Sequence, residues 1–218
     1  MTLNTAKFLG ITGIVLFVSA GTVRFWQAWL FMGLHLAWLK FAGWYFLRKD
    51  PALVERRMTQ DEGGEKEKVQ RNVMRVLRLL GAVMLVVAGL DHRFGWSVVP
   101  LAGVAAGGVL FVAGAAVIFV VFLENTYTSS IIEVATDQTV VDTGPYGILR
   151  HPMYTGTVLM GLATPLLLGS YWAAILVPAG WPLLVVRILA EERLLARRLP
   201  GYAEYMGRTR SRLIPGVW

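Results

Sequence analysis

The chain contains no cysteine. That one absence removes disulfides, thiolate-ligated zinc, iron–sulfur clusters and thiol nucleophiles together. Histidine is scarce too: His35, His92 and His151 stand far apart, and none belongs to an H-E-x-x-H pair, so no metal site is expected. Charge is the third shortage. Asp, Glu, Lys and Arg make up 16% of the residues, where a soluble domain carries about 25%. The deficit is concentrated in long runs, and residues 98–123 hold no charged side chain at all. A hydrocarbon core about 30 Å thick needs about 20 helical residues, so this run is long enough to span. A buried helix in a soluble core would need polar amphipathic helices around it, and the sequence supplies few.

What is present agrees. Hydrophobic residues make up 56% of the chain and the mean hydropathy is +0.56. The pattern predicts an all-α integral membrane protein with six transmembrane helices, over about 8–23, 26–47, 73–90, 98–123, 153–170 and 171–189. The first run ends near Val18-Ser19-Ala20, which resembles a signal-peptide cleavage site; an uncleaved helix is favoured because the next run follows at once. Trp26, Trp29, Trp44 and Tyr45 lie towards the ends of the second span, where interfacial aromatics belong. Gly103 and Gly107 form a G-x-x-x-G in the fourth, read as close packing within the bundle, with a dimer seam as the alternative. Spans five and six, with Pro165, Pro178 and Pro182, read as a tilted or broken hairpin.

A net charge of +7 suggests nucleic acid only in a soluble chain. Here lipid head groups and loop asymmetry explain it, and no nucleic-acid partner is expected. Most of the Lys and Arg residues fall between Arg48 and Arg78 and between Arg187 and Arg212. These stretches follow even-numbered spans, which places both termini in the cytosol, with a bacterial inner membrane as the expected location. After Arg187 the sequence turns amphipathic, a helix leaving the membrane on the cytosolic side that Pro200-Gly201 ends. Residues 1–123 are read as N-terminal transmembrane helices and 124–218 as the catalytic region, within one structural domain.

Two polar segments are too rich in special residues to be simple connectors. One runs from Thr136 to Gly156, where Gly144-Pro145 marks a turn and Arg150-His151-Pro152 stands at the start of a span. His151 lies near a helix N-terminus, whose amides can hold an anionic group. The alternative is interfacial anchoring by Arg150 and Tyr154. The other segment is Arg187-Ile-Leu-Ala-Glu191-Glu192-Arg193, in which Arg187 and Glu191 share a helix face. A surface ion pair there is worth little, but a charge at the inner end of an apolar span is costly and more often functional.

Gln138-Thr-Val-Val-x-x-Gly-Pro-Tyr146-x-x-x-Arg150-His-Pro-x-Tyr154-x-Gly156, with Arg187-x-x-x-Glu191-Glu192, Gly201-Tyr-x-x-Tyr205 and Arg212-x-Ile-Pro215, resembles the isoprenylcysteine carboxyl methyltransferase family. The resemblance covers about residues 124–218 and extends to phospholipid N-methyltransferases; Asp50-Pro51-x-Leu53-x-x-Arg56 adds a weaker likeness to bacterial members. It implies S-adenosyl-L-methionine as methyl donor, held in a cytosol-facing pocket closed by the C-terminal segment. It also implies a lipophilic or lipidated acceptor drawn from the membrane. By position, Gln138, Thr139, Val140 and Val141 match a strand-like stretch against the cofactor, and Tyr146, His151, Pro152, Met153 and Tyr154 match further contacts. Glu191 matches the acid near the donor's amino group, and Arg187 an arginine that approaches the substrate; Arg187 and His151 are the expected catalytic residues. The chain departs from some members in having Ile131 where they carry a polar residue.

Other readings stay open on the residues. The acceptor is an isoprenylcysteine-like carboxylate, a phospholipid amine or a small thiol. A carboxylate needs no base, whereas an amine does, and only His151, Glu192 and Glu124 are placed to act as one. A nicotinamide-dependent sterol-type reductase would draw on Arg197, Arg198, Arg208 and Arg210 for a 2′-phosphate. A scaffold that keeps the fold without catalysis is the third reading.

Overall fold

A computed structural model describes residues 2–59, 68–127 and 138–218. Among the described residues the regular structure is helical, with no strand. Nine α-helices follow in order: α1 (Thr2–Ala20), α2 (Trp26–Lys49), α3 (Pro51–Thr59), α4 (Lys68–Phe94), α5 (Leu101–Glu124), α6 (Pro152–Leu167), α7 (Tyr171–Ala174), α8 (Trp181–Arg198) and α9 (Tyr202–Arg208).

Among the described residues, four stretches are long and apolar enough to cross a membrane: Trp26–Lys49, Val69–Phe94, Leu101–Glu124 and Tyr171–Arg198. The chain is therefore an integral membrane protein. The expected first and fifth spans correspond to shorter helices. In α1 the apolar stretch is Thr5–Ala20, and α6 has 16 residues, a rise of about 24 Å against a core of about 30 Å. The expected sixth span is broken. It comprises the single turn α7, a 3₁₀ turn over Val177–Gly180 and then α8. Pro178 lies in the 3₁₀ turn and Pro182 in the first turn of α8, where a missing N–H costs nothing. The amphipathic stretch after Arg187 is the second half of α8. It ends at Leu199, and Gly201, at φ +82°, turns the chain into α9.

Close packing of α5 on α6 explains two glycines of the fourth span, Gly107 and Gly114, whereas a Cβ on Gly103 would meet only Val99 and Pro100 just before α5. A Cβ on Gly107 would lie 2.8 Å from Leu167 N, and one on Gly114 would lie 2.6 Å from the Gly156 carbonyl oxygen. Only hydrogen fits, so these helices approach with backbones nearly touching. Gly107 and Gly114 thus serve packing within the bundle. Asp50 and Pro51 have a local role as well. The Asp50 amide donates to Phe46 O and closes α2, while its carboxylate Oδ1 accepts from Leu53 N at 3.0 Å and opens α3.

The main core lies where α1, α2, α4, α5 and the hairpin meet, with Leu16, Phe25, Phe31, Phe111 and Leu167 buried. At the far end of α6, the buried Asp91 of α4 ties three segments together. Its carboxylate accepts from Ser97 N at 2.7 Å, from the Ser97 hydroxyl and from the Ser170 hydroxyl at 2.5 Å. Ser170 in turn caps α7, accepting from Ala173 N at 3.0 Å. The hairpin tip is thereby fixed to the α4–α5 connection.

Candidate active site

At the other end of α6 an open cavity of about 790 Å³, mouth included, is lined from five directions. Asn125 and Tyr127 follow α5, residues 138–141 lie in a stretch without regular secondary structure, and Tyr146 comes from the 3₁₀ turn Gly144–Gly147. Arg150, His151, Pro152, Met153 and Tyr154 enter with α6, and Glu191, Leu195, Leu199, Tyr202 and Tyr205 come from α8 and beyond. Gln138, Thr139, Val140, Val141, Tyr146, His151, Pro152, Met153, Tyr154 and Glu191 are thus all in its wall. The four residues 138–141 form no strand, and Thr136, Asp137 and Ile131 lie outside the described residues.

Arg187 is buried and is not among the lining residues. Its Nε donates to the Tyr154 hydroxyl at 3.0 Å, and that hydroxyl donates to Glu191 Oε2 at 2.6 Å. The tyrosine stands between the cation and the carboxylate, so it links the residue behind the wall to one inside it. Because α6 presents Tyr154 towards α8, the helix face shared by Arg187 and Glu191 turns into a relay of two charge-assisted hydrogen bonds.

Beside this relay lies a second buried group. Glu192 Oε1 accepts from Arg150 Nη1 at 3.0 Å and from His151 Nε2 at 3.3 Å, and Arg212 Nε donates to its Oε2 at 3.0 Å. Arg150 is only 8% exposed. It therefore does not reach lipid phosphates, and Tyr154 is likewise engaged inward, which removes the interfacial-anchor reading for both. His151 is the N-cap residue of α6, but its ring is directed at Glu192 rather than at the helix amides. Glu124, the other acid considered as a base, accepts from the Thr143 hydroxyl.

The wall is held from behind by the C-terminal residues. Arg150 N donates to Ser211 O at 2.9 Å and His151 N to Arg212 O at 3.0 Å. Thr155 Oγ1 donates to Leu213 O at 2.9 Å. The Tyr205 hydroxyl donates to Tyr146 O at 2.8 Å, and Asn125 Nδ2 donates to the Tyr146 hydroxyl at 3.0 Å. Burial pushes the Tyr205 pKa up to about 12. Burial also raises that of Tyr202, with the nearby Glu191 carboxylate adding to it. Both are therefore neutral donors at physiological pH.

Two donors at the cavity lack an acceptor. Arg150 Nε and the Tyr202 hydroxyl are buried with no hydrogen-bond partner among the described residues. A buried unpaired donor costs about 1–3 kcal/mol, so these atoms are open to an acceptor that the described residues do not supply. Beside them stand the Glu191 carboxylate, which suits a cationic amine, and the apolar sides of Val140, Leu195 and Leu199. This set fits a zwitterionic amino acid end joined to a flat, less polar group. Arg197, Arg198, Arg208 and Arg210 line no part of the cavity, and Arg208 pairs with Asp142 at 2.8 Å. The phosphate cluster that a nicotinamide reading requires is not assembled there. Asn125, Tyr127, Arg150, Leu195, Leu199, Tyr202 and Tyr205 are lining residues beyond the sequence-expected set; of these, Arg150, Tyr202 and Tyr205 stood inside the motifs without a role.

Fold and cavity together define a multi-span membrane protein with a polar ligand site at one end of its bundle. Residues 105–197 match the sequence profile of the isoprenylcysteine carboxyl methyltransferase (ICMT) family. The matched stretch, under half of the chain, is similar to that family of membrane methyltransferases. Among solved structures, that of the eukaryotic intramembrane Ras methyltransferase ICMT aligns over 98% of this chain and 75% of its own, with a TM-score of 0.65 and 16% identity. At that identity the likeness establishes a shared fold. No curated protein sequence matches the chain.

Proposed function

We propose that the chain is an S-adenosyl-L-methionine-dependent methyltransferase that methylates a lipophilic, isoprenylcysteine-like carboxylate at the cytosolic face of the membrane. One observation carries this reading: the ten residues matched to donor contacts, nine within residues 138–154 and the tenth, Glu191, on α8, meet in one cavity. Residues 124–218 supply most of that cavity and form the catalytic region of the single domain, with residues 1–123 as its transmembrane support. The distribution of Lys and Arg favours cytosolic termini and a bacterial inner membrane.

The residues divide the work as follows. Glu191, steadied by Tyr154, holds the donor's ammonium group, and Arg150 Nε and the Tyr202 hydroxyl take its carboxylate. Val140, Leu195 and Leu199 border the flatter part. When bound, the donor supplies a methyl group on a sulfonium sulfur, already activated for transfer. The protein's task is alignment, which can lower a barrier by roughly 7–11 kcal/mol. Arg187, behind Tyr154, holds that tyrosine in place and adds positive charge behind the wall that an anionic acceptor approaches. A carboxylate acceptor has no proton to lose and needs no base. That suits a site in which Glu192 and Glu124 are already engaged and His151 is hydrogen-bonded to Glu192. It favours a carboxylate over a phospholipid amine or a small thiol.

Isothermal titration of the purified protein in detergent with S-adenosyl-L-methionine tests the donor. Saturable heat is expected. Absence of heat, together with no photo-crosslinking of labelled donor to residues 138–154, overturns the reading. Methyl transfer from radiolabelled donor to a farnesylated cysteine analogue, but not to its methyl ester, tests the acceptor.

A further inference from the structure

Glu192 does not line the cavity, yet everything it holds lies at the cavity or behind it. It is 5% exposed and receives two guanidinium groups and an imidazole on a single carboxylate. Two of these partners, Arg150 and His151, are wall residues from the start of α6. The third, Arg212, comes from the C-terminal residues and keeps 25% of its side chain exposed. The backbone follows the same path, because the amides of Arg150 and His151 donate to the carbonyls of Ser211 and Arg212. Arg150 Nη2 also reaches Arg210 O at 3.1 Å. Beyond Arg212 the chain closes on itself: Leu213 N and Ile214 N donate to Trp218 O, and the Arg212 guanidinium lies 5.2 Å from the centre of the Trp218 ring.

We infer that Glu192 is a positioning residue that couples the C-terminal tail to the cavity wall. Its carboxylate holds Arg150 and His151 in place only while Arg212 of the seated tail shares it. Without that carboxylate, Arg150 and Arg212 are two cations with no counter-charge between them, in a region where an unpaired charge is costly. The tail then has a reason to leave, and Arg150 loses the anchor that sets the direction of its free Nε. Glu191 and Glu192, adjacent in sequence, thus act differently, one towards the ligand and the other towards the tail. This inference rests on the reading of the cavity as the donor site.

The test uses the full chain in detergent with two readouts, hydrogen exchange and donor titration. In Glu192→Gln, the amides of Arg150, His151, Leu213 and Ile214 are expected to exchange at least about tenfold faster. Donor affinity is expected to fall about tenfold. Arg212→Ala should produce the same acceleration, and the double variant should be no faster than either single one, as for two ends of one contact. Unchanged exchange in Glu192→Gln, or additive effects in the double variant, overturns the inference. If Glu192→Gln does not fold, Arg212→Ala decides alone, since a tail as protected as in the wild type sinks the coupling. If the wild type binds no donor, the proposed donor site fails, while the exchange data still judge the latch.

Discussion

The two ends of α6 both bury acidic groups, but they satisfy them in opposite ways. At the Ser170 end, Asp91 accepts from an amide and two hydroxyls, and the donors it holds are matched to its oxygens. At the His151 end, Glu191 and Glu192 stand among Arg150, Arg187 and Arg212, and two buried donors have no acceptor among the described residues. A closed network of neutral donors fixes a loop. An open one with surplus donors waits for a partner. Burial of a carboxylate therefore says little about function by itself, whereas the count of unmatched donors around it separates a structural clamp from a ligand site.

Substitutions at the two ends should break along this line. The largest effect is expected for Asp91→Ala, which strips the acceptor from Ser97 N and from two hydroxyls. At about 1–3 kcal/mol for each buried donor left unpaired, thermal melting should show a loss of about 3 kcal/mol or more. The fraction that stays folded should titrate donor with wild-type affinity. Weaker binding there would mean that the two ends are not independent. Glu191→Gln should do the reverse: a nearly unchanged melting temperature, with donor affinity lower by about 1.5–3 kcal/mol, roughly 10- to 150-fold. Titration calorimetry reads this directly, and an unchanged affinity would remove Glu191 from the ligand side.

Tyr202→Phe is the finer probe. Deleting a hydroxyl that has no partner should stabilise the ligand-free protein by up to about 1 kcal/mol while weakening donor binding several-fold. Opposite signs in melting and titration are the signature, and a stability loss would show that the hydroxyl is satisfied within the chain. The smallest effect concerns pH. Tyr205 titrates near 12 in the folded protein and near 10 when unfolded. Its contribution to stability is therefore complete below about pH 10 and is lost as pH rises from there through 12. Melting temperature against pH should fall across that window, and Tyr205→Phe should make the fall shallower.

Much of this was legible in the chain. Residues 98–123, uncharged, became α5 almost to the residue, because length and apolarity are sufficient causes of a spanning helix. Spans five and six were harder. Proline marked the break in the second of them, but hydropathy could not show that α6 stops at Leu167, where Gly169 at φ +70° turns the chain and the amides of Gly169 and Ser170 return to Leu166 O and Pro165 O. The lining residues 138–154 and Glu191 were read from motif resemblance, and the cavity collects them. What stayed hidden was partnership. Periodicity put Arg187 and Glu191 on one face but could not place Tyr154 between them, since that contact joins different helices. Nor could it tell Glu191 from Glu192: adjacent positions on a helix point about 100° apart, and only the surrounding chain decides which of them meets the tail.

The shortness of α6 bears on how an acceptor reaches this site. Its Ser170 end is pinned level with the α4–α5 connection. If that end sits at one edge of a hydrocarbon layer about 30 Å thick and the helix follows the bilayer normal, a helix about 24 Å long stops about 6 Å short of the opposite edge. In that placement His151 and the Tyr154 hydroxyl would lie recessed by about one helical turn. The polar tip of a lipid can meet them by sliding sideways at its own depth, with its tail still dissolved among the acyl chains. Under the proposed function the site would be a notch in the bilayer's rim, and the energy of extracting a lipid chain into water would not have to be spent.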